Sequence, residues 1–152
     1  MSKKTVNVIS LGCSKNLIDA ERLMRMLDNV GCETLFEQSA ESRPDIVIIN
    51  TCGFIGDAKE ESINTILEWV EAKRESYVQE IFVMGCLSQR YRAELPKEIE
   101  EVDKWFGKTD WPDIVKEITL KNPSGEKYDR IVTTPPLHAY LKIAEGCNRF
   151  CA

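Results

Sequence analysis

The order of strand and helix signals predicts an α/β fold: a flavodoxin-like, doubly wound, mainly parallel five-stranded sheet with helices on both faces. Two continuous apolar runs, at 45–50 and 79–84, suit strands that are buried on both faces of a parallel sheet. Segments with helical spacing of apolar residues separate most of the strands, which is typical of βαβ units. With 152 residues, of which 43% are hydrophobic, the chain can close one core.

The first half of the chain predicts three strands and one helix. A short apolar run at 6–11 is the first strand. Residues 16–30 carry apolar side chains at spacings near 3.6 and are followed by Gly31, a common helix stop, so they predict a helix, which Asn16 is expected to cap. Residues 34–36 predict the second strand and 45–50 the third. The polar stretch between these two strands is too short for a helix.

The second half begins with a strong helix signal. Asp57, with Glu60 three residues later, resembles a capping box at the start of a helix that is apolar on one face. The fourth strand is expected at 79–84. Ser88 can cap a short helix, which must end near Pro96 because the residue before a proline disfavours helix.

A last strand is expected at 102–106, and Asp110 can cap a final helix. A Pro-Pro pair then marks a break in character. We expect an N-terminal domain over 1–135, followed by a linker and the first strand of a second, truncated domain over 136–152. The alternating pattern at 138–144 predicts that strand.

Charge and hydropathy narrow the functional classes. The net charge of −5 argues against a nucleic-acid surface on this domain, since phosphate binding depends on Lys and Arg clusters, and it would suit a basic partner. No apolar run approaches the roughly 20 residues of a membrane span. The first residues lack the apolar core of a secretory signal, so the chain is expected in the cytoplasm, without a membrane partner.

Three of the six cysteines follow predicted strands. Cys13, Cys52 and Cys86 come after the first, third and fourth strands, and each has a glycine beside it. The carboxyl ends of parallel strands meet at one edge of a sheet, where ligands bind in doubly wound folds. We therefore expect the three thiols to gather there. Three thiolates suit an iron–sulfur cluster with one open iron, whereas a structural zinc usually needs a fourth ligand.

Two alternatives stay open from the residues alone. The three cysteines could be buried small hydrophobes, which is how Cys32, just after the first helix, is interpreted. The fold could also belong to a flavodoxin-like electron carrier, although the loop after the first strand offers only Ser14 for a phosphate.

Cys147 and Cys151 have C-x3-C spacing, and a third cysteine at position 154 would complete a C-x3-C-x2-C cluster motif.

Together these motifs resemble the methylthiotransferases of the radical S-adenosylmethionine superfamily. The resemblance covers essentially the whole chain and is carried by Ser-Leu-Gly-Cys-Ser-Lys-Asn at 10–16, Asn-Thr-Cys-Gly-Phe at 50–54, Gly-Cys-Leu at 85–87 and Glu-Gly-Cys-Asn at 145–148. Residues 10–21 are similar to the branch that modifies an aspartate of small-subunit ribosomal protein twelve, the RimO type. The branch that modifies an adenosine in tRNA is the alternative.

The resemblance implies two 4Fe–4S clusters and S-adenosylmethionine in the full-length enzyme. Cys13, Cys52 and Cys86 would hold the auxiliary cluster used in sulfur insertion. Cys147 and Cys151 would be the first two ligands of the cluster that cleaves S-adenosylmethionine to a radical. It also implies a reductant protein and a ribosomal protein substrate bound through further domains. The chain by itself is therefore expected to be inactive.

Overall fold

The structure is a computed structural model that describes residues 3–126 and 128–145. Within those ranges one sheet is formed by β1 (Thr5–Ser10), β2 (Glu33–Phe36), β3 (Ile46–Thr51), β4 (Glu80–Gly85) and β5 (Lys104–Trp105). The strands are all parallel and lie in the order β2-β1-β3-β4-β5. This is the doubly wound, flavodoxin-like order, and the predicted fold class is confirmed.

Helices cover both faces of this sheet. They are α1 (Ser14–Asn29), α2 (Gly56–Arg74), α3 (Cys86–Arg90), α4 (Leu95–Glu98) and α5 (Trp111–Thr119), with a 3-10 turn at Ala40–Ser42. Successive strand residues point to opposite faces, so Ile48 packs in a core with α1 and α5 while Ile49 packs in a second core with α2. The two cores explain why β3 is buried along its whole length.

The three predicted capping residues, Asp57, Ser88 and Asp110, make no capping hydrogen bond through their side chains. α2 begins at Gly56, so Asp57 lies in its first turn and caps nothing. Ser88 lies inside α3, where its hydroxyl donates to the Phe106 carbonyl instead of capping the helix. Asp110 does occupy the N-cap of α5, but its carboxylate accepts from the Gly107 N–H. At Ser88 a tertiary partner, the Phe106 carbonyl, replaces the local capping bond, whereas Asp110 bonds within the loop that precedes its helix.

The segment after α5 forms no helix or strand in its described parts, residues 120–126 and 128–145, so the strand predicted at 138–144 is wrong. An alternating pattern needs a neighbouring strand edge to pair with, and here the segment lies against α1 instead. The division into domains at residue 135 stays a prediction. None of the helices in the described ranges has the length and apolarity that a membrane crossing requires.

Candidate functional site

The carboxyl ends of the three central strands bring Cys13, Cys52 and Cys86 to one edge of the sheet. Ser10 of β1 is in register with Asn50 of β3, and Asn50 with Met84 of β4, so the three strands end side by side. Cys52 and Cys86 follow β3 and β4 directly, and Cys13 lies three residues beyond β1. The three loops converge, as predicted, because the strands before them are parallel and end side by side.

Gly12 and Cys52 form a close contact between two of these loops. A Cβ atom placed on Gly12 would lie 2.4 Å from Cys52 Cβ and 2.7 Å from Cys52 Sγ. Gly12 also has a φ of +87°, in the left-handed region that favours glycine. The loop that carries Cys13 can therefore lie directly over the Cys52 thiol only because position 12 has no side chain.

A buried serine holds the backbone of Cys52. The Ser62 hydroxyl, on α2, accepts a hydrogen bond from the Cys52 N–H at 3.1 Å and donates to the Cys52 carbonyl at 2.9 Å. Ser62 is fully buried, so water does not compete for these bonds. One hydroxyl thus satisfies both backbone polar groups of Cys52 and holds the backbone from which the thiol projects.

Two buried asparagines join the ends of the strands below the thiols. The Asn16 amide, in the first turn of α1, donates to the Leu11 and Thr51 carbonyls, each at 3.0 Å. The Asn50 amide donates to the Asn16 carbonyl at 2.8 Å. Asn16 was expected to cap α1, but Cys13 occupies the N-cap. The Asn16 side chain instead ties the loop that carries Cys13 to the end of β3.

Cys86 is half-buried and lies within electrostatic reach of the other two thiols. Burial raises the pKa of the Cys86 thiol, the charge of Lys108 lowers it, and the proximity of Cys52 and Cys13 raises it further. The net pKa is above the ordinary value. Lys108 lies in the loop between β5 and α5 and forms an ion pair with Glu145. The structure therefore places the positive charge of Lys108 near the Cys86 thiol.

The donor set fits an iron–sulfur cluster in its chemistry, because three soft thiols approach one edge and the first turn of α1 adds amide donors beside Cys13. The thiols are nevertheless not drawn together as metal ligands are. Among residues 3–126 and 128–145, no three His, Cys, Asp or Glu side chains form a group that could hold a metal ion. Ligation by Cys13, Cys52 and Cys86 stays a prediction.

Of the other three cysteines, the structure describes only Cys32. Cys32 is buried in the core on the α1 face and precedes β2, at the opposite edge of the sheet. Burial raises the pKa of its thiol, while Lys4 and Lys121 lower it by a smaller amount. Cys147 and Cys151, the proposed ligands of a second cluster, lie outside the described residues.

The sequence interpretation did not assign Ser62, Asn50 or Lys108 to the site. Each is polar, and Ser62 and Asn50 are almost fully buried. A polar residue inside an apolar run, such as Asn50 at the end of β3, is the signal that could have identified one of them. Ser62 and Lys108 become visible only when the fold brings α2 and the loop after β5 to this edge.

Comparisons with known proteins agree with the resemblance. The chain is 49% identical over all 152 residues to the Ribosomal protein uS12 methylthiotransferase RimO of Bacteroides fragilis (strain YCH46). It is 50% identical to the protein of that name from Bacteroides thetaiotaomicron and 47% identical to that from Flavobacterium johnsoniae. All of this chain is covered in each match, but it spans only 35% of the length of each relative.

Two further comparisons concern the fold and the family. A solution structure of a response regulator from Burkholderia multivorans aligns with 82% of this chain and 100% of its own, at 16% identity and a TM-score of 0.47, which is too distant to bear on function. A family model described as "Uncharacterized protein family UPF0004" matches residues 5–107. This range contains all five strands and the three thiols at their ends, and the chain belongs to that family.

Proposed function

We propose that the chain is the N-terminal domain of a ribosomal protein uS12 methylthiotransferase and that it holds the auxiliary 4Fe–4S cluster of that enzyme. Near 49% identity over the full chain to proteins of that name supports the first part. The convergence of Cys13, Cys52 and Cys86 supports the second. Three thiolates leave one iron of such a cluster without a protein ligand, and the cluster would supply a binding place for the sulfur group to be inserted.

The residues around the thiols would position them for that role. Gly12 leaves the space in which Cys52 Sγ lies, and Ser62 fixes the Cys52 backbone. Lys108 places a positive charge near Cys86, which favours an anionic thiolate and an anionic cluster. These residues orient and balance charge, while the cluster carries the chemistry.

The complete reaction needs more than this chain. Cys147 and Cys151 would provide two ligands of a second 4Fe–4S cluster, with S-adenosylmethionine as its partner and a separate protein as reductant. Since the chain spans 35% of its relatives, the uS12 substrate would bind largely through parts that lie outside it. We expect the chain alone to bind iron and sulfide without modifying uS12.

Anaerobic reconstitution with iron and sulfide tests the cluster assignment. The wild-type chain should take up about four irons, as one 4Fe–4S cluster requires. Cys13→Ala should load much less, because it removes one of three ligands. Cys32→Ala is the matched control, since Cys32 lies in the core at the opposite edge, and it should load like the wild type. Equal iron uptake by the two variants would contradict the assignment.

A further inference from the structure

Part of the sheet has an apolar face that its own helices leave open. Strands of a parallel sheet are normally covered on both faces by the helices that connect them. The connection from β2 to β3, which the structure describes in full, contains only the 3-10 turn Ala40–Ser42, and α2 packs against β3 and β4. Ile9 of β1 is therefore only partly buried, whereas Ile49, its register partner in β3, is fully buried.

A groove with a volume of 580 Å³ lies over this open face, and we call it the α2 groove. Its floor is formed by the apolar side chains of Ile9, Leu11 and Trp69. One wall is a face of α2 that includes Thr65, and the other is the chain at 37–40, which follows β2. The volume lies within the range of pockets that bind small molecules or several side chains of a partner.

Three glutamates stand at the walls of the α2 groove. Glu61 and Glu68 lie about two turns apart on the same face of α2, and Glu37 lies on the opposite wall. All three are exposed, and their carboxylates form no ion pair or hydrogen bond with another described residue. Among the described residues, no Lys or Arg lines the groove. The α2 groove therefore combines an apolar floor with uncompensated negative charge.

Neither a neighbouring cation nor a metal accounts for these carboxylates. The two cations at the end of α2, Lys73 and Arg74, form their ion pairs with carboxylates outside the groove. In the part of the chain that the structure describes, no three His, Cys, Asp or Glu side chains are grouped so that they would hold a metal ion. The charge of the α2 groove is thus left for a partner.

The wall formed by residues 37–40 is held in place from below. Asn7 is fully buried in β1, and its side chain donates to the Gln38 carbonyl at 2.8 Å and accepts from the Gln38 N–H at 3.1 Å. These two bonds fix the backbone next to Glu37. A partner that enters the α2 groove therefore does not have to order this wall.

The α2 groove also adjoins the cysteine edge. Ser10 and Glu37 line both this groove and a second cavity, of 360 Å³, which is lined by Gly12 and Cys13. A segment that lies in the α2 groove would consequently pass beside the loop that carries Cys13. The position suits a contact with a substrate of the same site.

We propose that the α2 groove binds an extended, basic segment of the substrate protein, whose Lys or Arg side chains pair with Glu37, Glu61 and Glu68. Long cationic side chains lay their methylene stems on apolar surface and keep the charged head in water, which matches an apolar floor between carboxylates. Opposite charges on the two partners favour this pairing and speed their encounter.

The inference rests on the proposed function and extends it, because it gives this chain its own contact with the substrate. The relatives are named for the ribosomal protein uS12. Proteins that bind RNA carry clusters of Lys and Arg, so a ribosomal protein has the charge that the α2 groove requires.

Titration of purified, fluorescently labelled uS12 with the chain, followed by fluorescence anisotropy, tests the α2 groove. The double substitution Glu61→Gln and Glu68→Gln removes two carboxylates and leaves the shape of the groove. Its dissociation constant should rise about tenfold at low ionic strength, because two charge pairs are lost, and the difference should shrink with added salt. Absence of binding by the wild-type chain would overturn the proposal.

The matched control is the double substitution Glu60→Gln and Glu75→Gln. These glutamates are exposed near the two ends of α2, do not line the α2 groove, and give the same change in net charge. This variant should bind uS12 like the wild type. Equal weakening in the two double variants would mean that net charge alone attracts uS12, and the groove proposal would be wrong.

A substitution that fills the groove tests its shape. Thr65→Arg places a long cationic side chain in the α2 groove and should weaken uS12 binding more than tenfold. Leu67→Arg adds the same side chain at an exposed position of α2 outside the groove, and it should leave binding unchanged. Urea unfolding shows whether each variant is folded. Tight binding by a folded Thr65→Arg chain would contradict the proposal, and if that chain does not fold, the glutamine variants decide.

Iron uptake separates this inference from the proposed function. None of the substituted residues is a proposed cluster ligand, so every folded variant should load iron like the wild type. Failure of the wild-type chain to load iron would count against the cluster and leave the binding result standing. Normal loading, with uS12 binding that does not depend on the α2 groove, would count against the groove alone.

Discussion

At the scale of single residues, the cysteine edge depends on the absence of one side chain. Gly12 has a φ of +87°, and its Cα faces Cys52 so closely that an added Cβ would overlap both Cβ and Sγ. Gly12→Ala should therefore strain the backbone and displace Cys52. We expect the free energy of unfolding, measured with urea, to fall by about 1–3 kcal/mol. Iron uptake should fall with it, because the displaced thiol is a proposed ligand.

Gly56→Ala is the matched control for that substitution. Gly56 is the first residue of α2, and a Cβ added there would meet no atom within 4 Å. Alanine favours helix over glycine, so this variant should be as stable as the wild type or slightly more stable. If both glycine variants behaved alike, the close contact at Gly12 would have no energetic consequence.

The residues that carry the candidate site were only partly predictable. Cys13, Cys52 and Cys86 could be found because the strands before them are apolar runs and a parallel sheet collects strand ends. Asn16 was interpreted as a cap because its neighbours in sequence suggested one. The partners of its side chain are the Leu11 and Thr51 carbonyls. Thr51 belongs to β3, and the residues next to Asn16 in the sequence do not indicate so distant a partner.

At the scale of elements, the Asn16 side chain joins the first turn of α1 to β1 and β3. This side chain is 1% exposed and donates hydrogen bonds to the Leu11 and Thr51 carbonyls. Asn16→Ala would leave buried acceptors without these donors, and a buried polar group left unpaired costs about 1–3 kcal/mol. Urea unfolding should show a loss of that size.

The control is Asn64→Ala, since Asn64 is exposed on α2. Surface substitutions of this kind usually change stability by less than about 0.5 kcal/mol. An Asn16→Ala chain as stable as Asn64→Ala would mean that water or a backbone shift satisfies the two carbonyls, and the link between α1 and the strand ends would then not matter for stability.

Among the elements, strands were easier to predict than helix ends. β3 and β4 are apolar runs buried on both faces, so composition alone identifies them. In α1 the apolar spacing identified the face against the sheet. It could not show that Asp19 and Glu21 would also be buried, because their partners Thr133 and Lys142 lie more than a hundred residues away in the sequence.

At the scale of the whole molecule, the buried residues of both cores lie before residue 120 in the part of the chain that the structure describes. They end with α5, and of the described residues beyond it only Ile131 packs against them, partly buried. A chain ending at residue 135 should therefore keep its sheet. We expect its free energy of unfolding to change by about 1 kcal/mol or less, because Asp19 exchanges a buried ion pair for water. Urea unfolding measures this.

A chain ending at residue 110 is the control for the truncation. It lacks α5, and with it the buried Ile114, Val115 and Ile118. Losing three buried aliphatic side chains should cost several kcal/mol, at about 1.5–3 kcal/mol for each. If the chain ending at 135 were destabilised as severely, the domain would extend past that residue and the boundary predicted from the Pro-Pro pair would be wrong.

The parallel register of β1, β3 and β4 has a thermodynamic consequence for any ligand that needs all three thiols. Each thiol depends on a different strand, so a chain in which one of these strands has detached no longer presents the set. Such a ligand binds the intact sheet and does not bind a chain in which any of the three strands has detached. Its binding free energy therefore adds in full to the free energy of unfolding. A ligand bound by all three thiols at this edge therefore indicates that β1, β3 and β4 are all paired in the sheet.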